Sequence, residues 1–65
     1  MVGKRIAKLR KEKGWTQADL AKIAGLSKGY VASIEEGKYP GIKALAMIAK
    51  TLGVEARALF EEEED

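Results

Sequence analysis

Apolar residues recur along the chain at helical spacing, and glycines divide the pattern into short segments. Val2, Ile6 and Leu9 fall on one face of a helix. This spacing predicts a first helix over residues 2–13, which stops at Gly14. By the same reasoning, four more helices are predicted, over residues 17–24, 28–36, 42–52 and 55–60. A loop rich in turn-forming residues separates the third and fourth of these segments.

Side chains suited to helix capping stand at the predicted starts of the second and third helices. The Thr16 hydroxyl can accept from the backbone N–H of Asp19, and the carboxylate of Asp19 can reach back, as in a capping box. Trp15 and Leu20 have the spacing of a hydrophobic staple across this cap. Ser27 is the predicted N-cap of the third helix. The starts of both helices are therefore predicted from local sequence.

The helical segments predict an all-α fold in which residues 1–60 form one compact domain of five helices. No repeat, linker or second domain is visible in 65 residues. The tail at 61–65 is a run of like charge and is expected to be frayed or disordered. The residues predicted to form the core are Ile6, Leu9, Leu20, Ala21, Ala24, Leu26, Val31, Ile34, Leu45, Ile48, Leu52, Val54, Leu59 and Phe60.

The composition excludes several classes of function. Cysteine and histidine are both absent, which excludes disulfides, Cys/His zinc sites and histidine general-base catalysis. No nucleophile–base pair, metal-binding set or phosphate-cradling glycine loop is visible, so we expect neither an enzyme nor a cofactor, metal or small-molecule ligand. The chain also shows no signal peptide and no apolar run long enough for a bilayer, which favours a soluble, cytoplasmic protein without membrane contact.

Charge is distributed unevenly although the net charge is only +2. Residues 1–43 hold ten basic and four acidic residues, a net charge of +6. Residues 44–65 hold two basic and six acidic residues, a net charge of −4. A basic body with an acidic tail suits a polyanion that approaches from one side, but a solvated surface of mixed sign explains the same distribution equally well.

The segment 16–37 carries the most specific pattern in the chain. It predicts two short helices joined by a tight turn at Gly25, with the small residue Ala21 at the helix crossing and Leu26 packed beneath the turn. This is the helix-turn-helix arrangement. The alternative is an ordinary helical hairpin in a small bundle, and the hairpin geometry alone does not separate the two.

A longer set of residues makes the pattern specific and covers residues 3–60. Its members are Arg5, Ile6, Leu9, Arg10, Trp15, Thr16, Gln17, Leu20, Ala21, Gly25, Leu26, Ser27, Tyr30, Val31, Ser33, Ile34, Glu35, Gly37, Pro40, Leu45, Ile48, Ala49, Leu52, Gly53, Val54, Leu59 and Phe60. On these residues the chain resembles the lambda repressor-like (Xre-type) helix-turn-helix DNA-binding domains. It departs from them at Gly41, where the family often has a serine cap, and at Glu55 and Arg57 in the fifth helix.

The resemblance implies that the third helix, at about residues 28–36, enters the major groove of double-stranded DNA and reads bases. The outward positions that would meet the base edges are Lys28, Gly29, Ala32 and Ser33. Lysine can donate to guanine, serine to several bases, and alanine can touch a thymine methyl group. Gly29 has no side chain and would let the helix lie deep in the groove. The alternative is that Lys28 contacts only phosphate or solvent and that Ala32 is an ordinary surface residue.

The resemblance also implies contacts to the DNA backbone and one structural ion pair. The residues expected at phosphates are Arg10, Thr16, Gln17, Tyr30, Lys38, Tyr39 and Lys43. Arg10 and Glu35 are expected to form a partly buried ion pair between the first and third helices, instead of two unconnected surface charges.

The chain is therefore predicted to be a transcriptional regulator, or its DNA-binding domain, located in the cytoplasm with the nucleoid. The alternative is a protein-interaction adaptor with the same fold, and salt-dependent binding to duplex DNA separates the two. The sequence leaves the choice between monomer and weak homodimer open, and any dimer would have to use the last two helices. The residues expected at that contact are Leu52, Val54, Leu59 and Phe60.

Overall fold

The computed structural model describes residues 2–60, and that range contains four α-helices, one 3-10 helix and no strands. The α-helices are α1 (Val2–Glu12), α2 (Gln17–Ala24), α3 (Lys28–Glu35) and α4 (Ile42–Leu52). The 3-10 helix is Ala56–Phe60. The predicted all-α class is confirmed. The fifth predicted segment is a single 3-10 stretch instead of an α-helix. The tail at 61–65, for which disorder was predicted, lies outside the described residues.

The predicted caps of α2 and α3 are present. The backbone N–H of Asp19 donates to Thr16 Oγ1 over 3.0 Å, and the Asp19 carboxylate accepts from the Thr16 N–H over 2.9 Å, which completes the capping box. Gly25 ends α2 at φ 76°, a left-handed conformation that suits glycine. Two residues later, Ser27 Oγ accepts from the backbone N–H of Tyr30 over 3.1 Å and starts α3. Local chemistry thus sets the tight α2–α3 turn.

The core lies between the α-helices and is closed by the 3-10 helix. Its largest fully buried side chains are Ile6, Leu20, Val31, Ile34, Ile48 and Leu59. Leu9, Leu26, Leu45 and Val54, also predicted for the core, are partly buried against it.

Phe60 was predicted to be a core residue, and that prediction is wrong because the side chain is 46% exposed. A 3-10 helix has three residues per turn, so Ala56 and Leu59 share the face that packs inward. Phe60, one residue further, is turned away from the core.

The same burial corrects the predicted dimer contact. Leu52 is 4% exposed and Leu59 is fully buried, so both side chains are committed to the core of one copy. Of the predicted set, only Phe60 and the partly buried Val54 have surface to offer a partner.

Helix α1 approaches the end of α3 very closely at Gly3. A Cβ atom at this position would collide with the backbone carbonyl oxygen of Ile34 and touch the backbone of Glu35. Gly3 is buried, and glycine is the residue that permits two backbones to approach in this way. The contact brings the inner face of α1, including Arg10, beside the last turn of α3.

Candidate nucleic-acid interface

The N-terminus of α2 is held in a defined conformation by its capping box. Helix geometry leaves the backbone N–H groups of Gln17 and Ala18 without intrahelical acceptors, which makes this end attractive to an anion. The hydrogen bond from the backbone N–H of Thr16 lowers the pKa of the Asp19 carboxyl below its ordinary value. Asp19 therefore stays charged to a lower pH than a free aspartate, and its charge complements the dipole at the N-terminus of α2.

Arg10 and Glu35 form a two-pronged ion pair between α1 and α3. Arg10 Nε donates to Glu35 Oε2 over 2.7 Å, and Nη2 donates to Oε1 over 3.0 Å. The third nitrogen, Nη1, donates to the backbone carbonyl of Trp15 over 2.6 Å. Each of the two side chains is only 8% exposed. The ion pair therefore ties α1 both to α3 and to the residue just before the cap of α2.

The electrostatics of this pair follow from its geometry. The hydrogen bond to Glu35 raises the pKa of Arg10 above its usual value, against the effect of burial. Burial raises the pKa of Glu35, but hydrogen bonds from Arg10 and Gln17 and the nearby charges of Arg10 and Lys11 lower it further than burial raises it. The pair is therefore fully ionised around neutral pH.

Gln17 also forms a hydrogen bond to this ion pair, and the sequence did not predict that contact. Its Nε2 donates to Glu35 Oε1 over 3.0 Å, so the first residue of α2 is hydrogen bonded to the last residue of α3. The acceptor capacity of a carboxylate gives a weak indication that a further donor can bind Glu35. A carboxylate has about four acceptor sites, and a bidentate arginine leaves some of them for another donor. Nothing in the sequence identifies Gln17 as that donor.

Arg10, also expected at a phosphate, is held by several contacts within the protein. The residue is 7% exposed, and each of its three guanidinium nitrogens already has a protein acceptor. These bonds use three of the five guanidinium N–H donors, so two remain for an outside acceptor and the phosphate contact stays a prediction. Arg10 thus joins α1 to α3 and to Trp15, the residue just before the cap of α2.

Helix α3 exposes its N-terminal half. Lys28 and Gly29 are exposed, and Ala32 and Ser33 are partly exposed one turn further on. The hydroxyl of Ser33 donates to the backbone carbonyl of Tyr30 over 2.8 Å. Because that bond uses its proton, Ser33 offers an outside group an acceptor in this conformation.

Tyr30 connects α3 to the start of α4. The Tyr30 hydroxyl accepts from the backbone N–H of Gly41 over 3.0 Å, and Gly41 is the N-cap of α4 without a capping side chain of its own. The ammonium group of Lys38 lies 5.4 Å from the centre of the Tyr30 ring. Tyr30 thus stabilises the N-terminus of α4, next to the loop that joins α3 to α4.

The remaining residues expected at phosphates lie around the same loop. Tyr39 is 64% exposed, and its ring centre lies 5.9 Å from that of Phe60. Lys38 is exposed, and its backbone N–H donates to the carbonyl of Ser33 over 2.9 Å. Lys43 is exposed in the first turn of α4. Tyr30, Lys38 and Lys43 therefore lie near the start of α4, whereas Thr16 and Gln17 lie at the start of α2.

Between residues 2 and 60, no helix combines the length and apolar character that a bilayer crossing needs. Over the same residues, no group of three or more acidic side chains is arranged to hold a metal ion.

The order of helices, the α2–α3 turn and the exposed start of α3 define a helix-turn-helix domain. A family model described as helix-turn-helix matches residues 6–59. The chain belongs to this helix-turn-helix family, the lambda repressor-like (Xre-type) domains that its sequence resembles.

Similar proteins carry names from gene regulation. The immunity repressor protein of Bacillus phage phi105 is 43% identical over 63 residues, which cover 95% of this chain and 44% of the relative. The transcriptional regulator SinR of Bacillus subtilis (strain 168) is 37% identical over 67 residues, which cover 100% of this chain and 60% of SinR. A crystal structure of SinR in complex with DNA matches with a TM-score of 0.88 at 38% identity, covering 94% of this chain and 100% of that chain. The chain thus spans about half the length of these curated relatives.

Proposed function

We propose that residues 1–60 bind double-stranded DNA in a sequence-dependent manner, with α3 in the major groove. One observation carries the proposal. The N-termini of α2 and α4 are each hydrogen bonded to α3, whose own first residues Lys28 and Gly29 are exposed. Helix N-termini favour phosphate, so this arrangement suits a duplex whose backbone is gripped on both sides of the groove. The likeness to SinR, solved with DNA, supports the same conclusion.

Base contacts in this proposal come from the exposed half of α3. Lys28 can donate to the O6 and N7 atoms of guanine. Ser33, whose proton is bound to the Tyr30 carbonyl, is suited to accept from adenine or cytosine. Ala32 would meet a thymine methyl group, and Gly29 would admit the helix close to the bases. The small side chains leave room for DNA shape to contribute to the specificity.

Phosphate contacts come from the two helix N-termini. Thr16 and Gln17 would meet one phosphate at the start of α2. Across the groove, Tyr30, Lys38 and Lys43 would meet the backbone at the start of α4. Tyr39 is exposed beside this second group and would add its hydroxyl.

We further infer that the domain acts as a transcriptional regulator and not as an enzyme, in the cytoplasm in association with the nucleoid. The regulator and repressor names of its relatives support this role. The 3-10 helix then takes the place of the fifth helix of the lambda repressor-like fold. A weak homodimer would use Phe60 and Val54, the two members of the expected contact that retain exposed surface.

The test compares a base-reading residue with a phosphate-binding residue of the same charge. Lys28→Ala should weaken binding to the preferred site by about 1–3 kcal/mol and reduce discrimination at one base pair. Lys43→Ala should weaken binding to all sequences alike and lower the salt slope by about one unit. Both are measured by titration of matched and scrambled duplexes at several salt concentrations, after selection of a preferred site from a randomised pool.

Two results contradict the proposal in different ways. If Lys28→Ala lowers both affinities equally, Lys28 is a phosphate contact and the specificity comes from Ser33, Ala32 or DNA shape. If the unmodified domain shows no salt-dependent binding to any duplex, DNA binding is wrong and the adaptor function becomes the better interpretation.

A further inference from the structure

The carboxylate of Glu35 serves two donors from different helices. Its Oε1 atom accepts from Arg10 Nη2 and from Gln17 Nε2, each over 3.0 Å. The Glu35 side chain is only 8% exposed, so little water competes for these bonds. Gln17 has two protons on Nε2, and this bond occupies one of them. The other proton and the carbonyl oxygen of the same planar amide remain for an outside group.

We propose that Glu35 is a positioning residue that orients the Gln17 amide toward a DNA phosphate. The inference rests on the DNA-binding function proposed above. A free glutamine side chain has several rotatable bonds, and ordering it on binding costs free energy. The bond to Glu35 orders the Gln17 amide in the free protein. Less side-chain entropy is therefore lost when DNA binds.

Arg10 makes a carboxylate at this place compatible with DNA. An unpaired carboxylate close to a phosphate would repel it, whereas the bidentate contact to Arg10 neutralises the charge of Glu35. Hydrogen bonds to an ionised group are also stronger than neutral ones, and linked bonds polarise one another. The three residues therefore act in sequence: Arg10 holds Glu35, and Glu35 holds Gln17.

The hydrogen bond itself can be observed without any substitution. Gln17 is the only glutamine in the chain and asparagine is absent, so the side-chain amide region of a ¹H–¹⁵N spectrum holds one pair of signals. We expect this pair to shift in acid together with the carboxyl ¹³C signal of Glu35, and to shift again when a duplex is added. If the chemical shifts of the Gln17 amide do not change as Glu35 titrates, the proposal is wrong.

A double-mutant cycle tests the effect on binding. Gln17→Ala should weaken duplex binding by about fivefold, the effect of one hydrogen bond, and Glu35→Gln should weaken it by a smaller factor, because a neutral amide oxygen is a weaker acceptor than a carboxylate. In the Gln17→Ala background, Glu35→Gln should change affinity by less than about twofold, because its target is gone. The matched control is Glu36→Gln, which removes the same charge from the next, exposed residue and should not weaken binding.

The outcomes separate this inference from the proposed function. Equal effects of Glu35→Gln in both backgrounds would show that Glu35 acts independently of Gln17, and the inference would be wrong while DNA binding stands. An unmodified domain that binds no duplex would refute both. Circular dichroism establishes that each variant is folded, and should Glu35→Gln fail to fold, the acid titration of the unmodified protein still decides whether Glu35 holds Gln17.

Discussion

Two glycines at equivalent helix positions offer a controlled test of the packing between α1 and α3. Gly3 is the second residue of α1 and Gly29 is the second residue of α3. A Cβ at Gly3 would meet the backbone of Ile34 and Glu35, whereas a Cβ at Gly29 would meet nothing within 4 Å. Replacement by alanine therefore introduces the same methyl group into a tight contact in one case and into open space in the other.

The expected magnitudes follow from the two environments. Alanine in place of a helical glycine stabilises by about 0.5–1 kcal/mol, and Gly29→Ala should show this gain. Gly3→Ala receives the same gain but must also push α1 away from a backbone carbonyl, which no side-chain rotation relieves. Overpacking of this kind costs about 1–3 kcal/mol. Because the helix-preference effect is common to both variants, the difference between them measures the clash alone.

Urea unfolding followed by circular dichroism measures both variants against the unmodified domain. We expect Gly29→Ala to have the higher midpoint, with an unchanged denaturant slope that shows the same surface is buried. For a domain of this size, the melting temperatures should differ by roughly 4–8 °C for each kcal/mol. Equal midpoints would refute the close approach of α1 to the end of α3.

Two further predictions concern the polar contacts. The pKa values of Asp19 and Glu35 are lowered in the folded state, so both stabilise the fold above the ordinary carboxylate range and lose this effect as pH falls. The urea midpoint should decrease as the pH falls below about 5. This decrease should be less steep in Glu35→Gln than in the control variant Glu36→Gln. If the two variants have the same dependence of the midpoint on pH, Glu35 does not have this role. Tyr30→Phe removes the acceptor of a backbone N–H at the start of α4 and should cost about 0.5–1.5 kcal/mol in urea unfolding. An unchanged midpoint would show that this hydrogen bond does not hold α4.

The features that sequence predicts well are those set by neighbouring residues. The capping box of Thr16 and Asp19 needs only residues three positions apart, and the structure contains it. Gly25 marks the turn because its left-handed conformation disfavours other residues. Helical spacing also identifies most of the core, since it depends on one helix at a time.

The features that sequence predicts poorly depend on how helices meet. The role of Gly3 arises from the carbonyl of Ile34, 31 positions away in the chain, and no local pattern reveals it. Phe60 was misplaced because a short terminal stretch fits both an α-helix and a 3-10 helix, which direct its side chain differently. The Gln17–Glu35 bond likewise depends on how α2 meets the end of α3, which brings Gln17 Nε2 to the Oε1 atom that also accepts from Arg10.

These contacts divide the residues of α3 by function. Tyr30 and Glu35 connect α3 to the starts of α4 and α2, while Lys28 and Gly29 form no part of either connection. The side chains that would determine the bases read are thus separate from those that hold the phosphate-facing helix ends. Since neither Lys28 nor Gly29 takes part in the Tyr30–Gly41 or Glu35–Gln17 hydrogen bond, exchange of either residue would alter base contacts without displacing the starts of α4 and α2. The proposed binding mode therefore predicts that substitutions at these two positions change the target sequence and leave the orientation on the duplex unchanged.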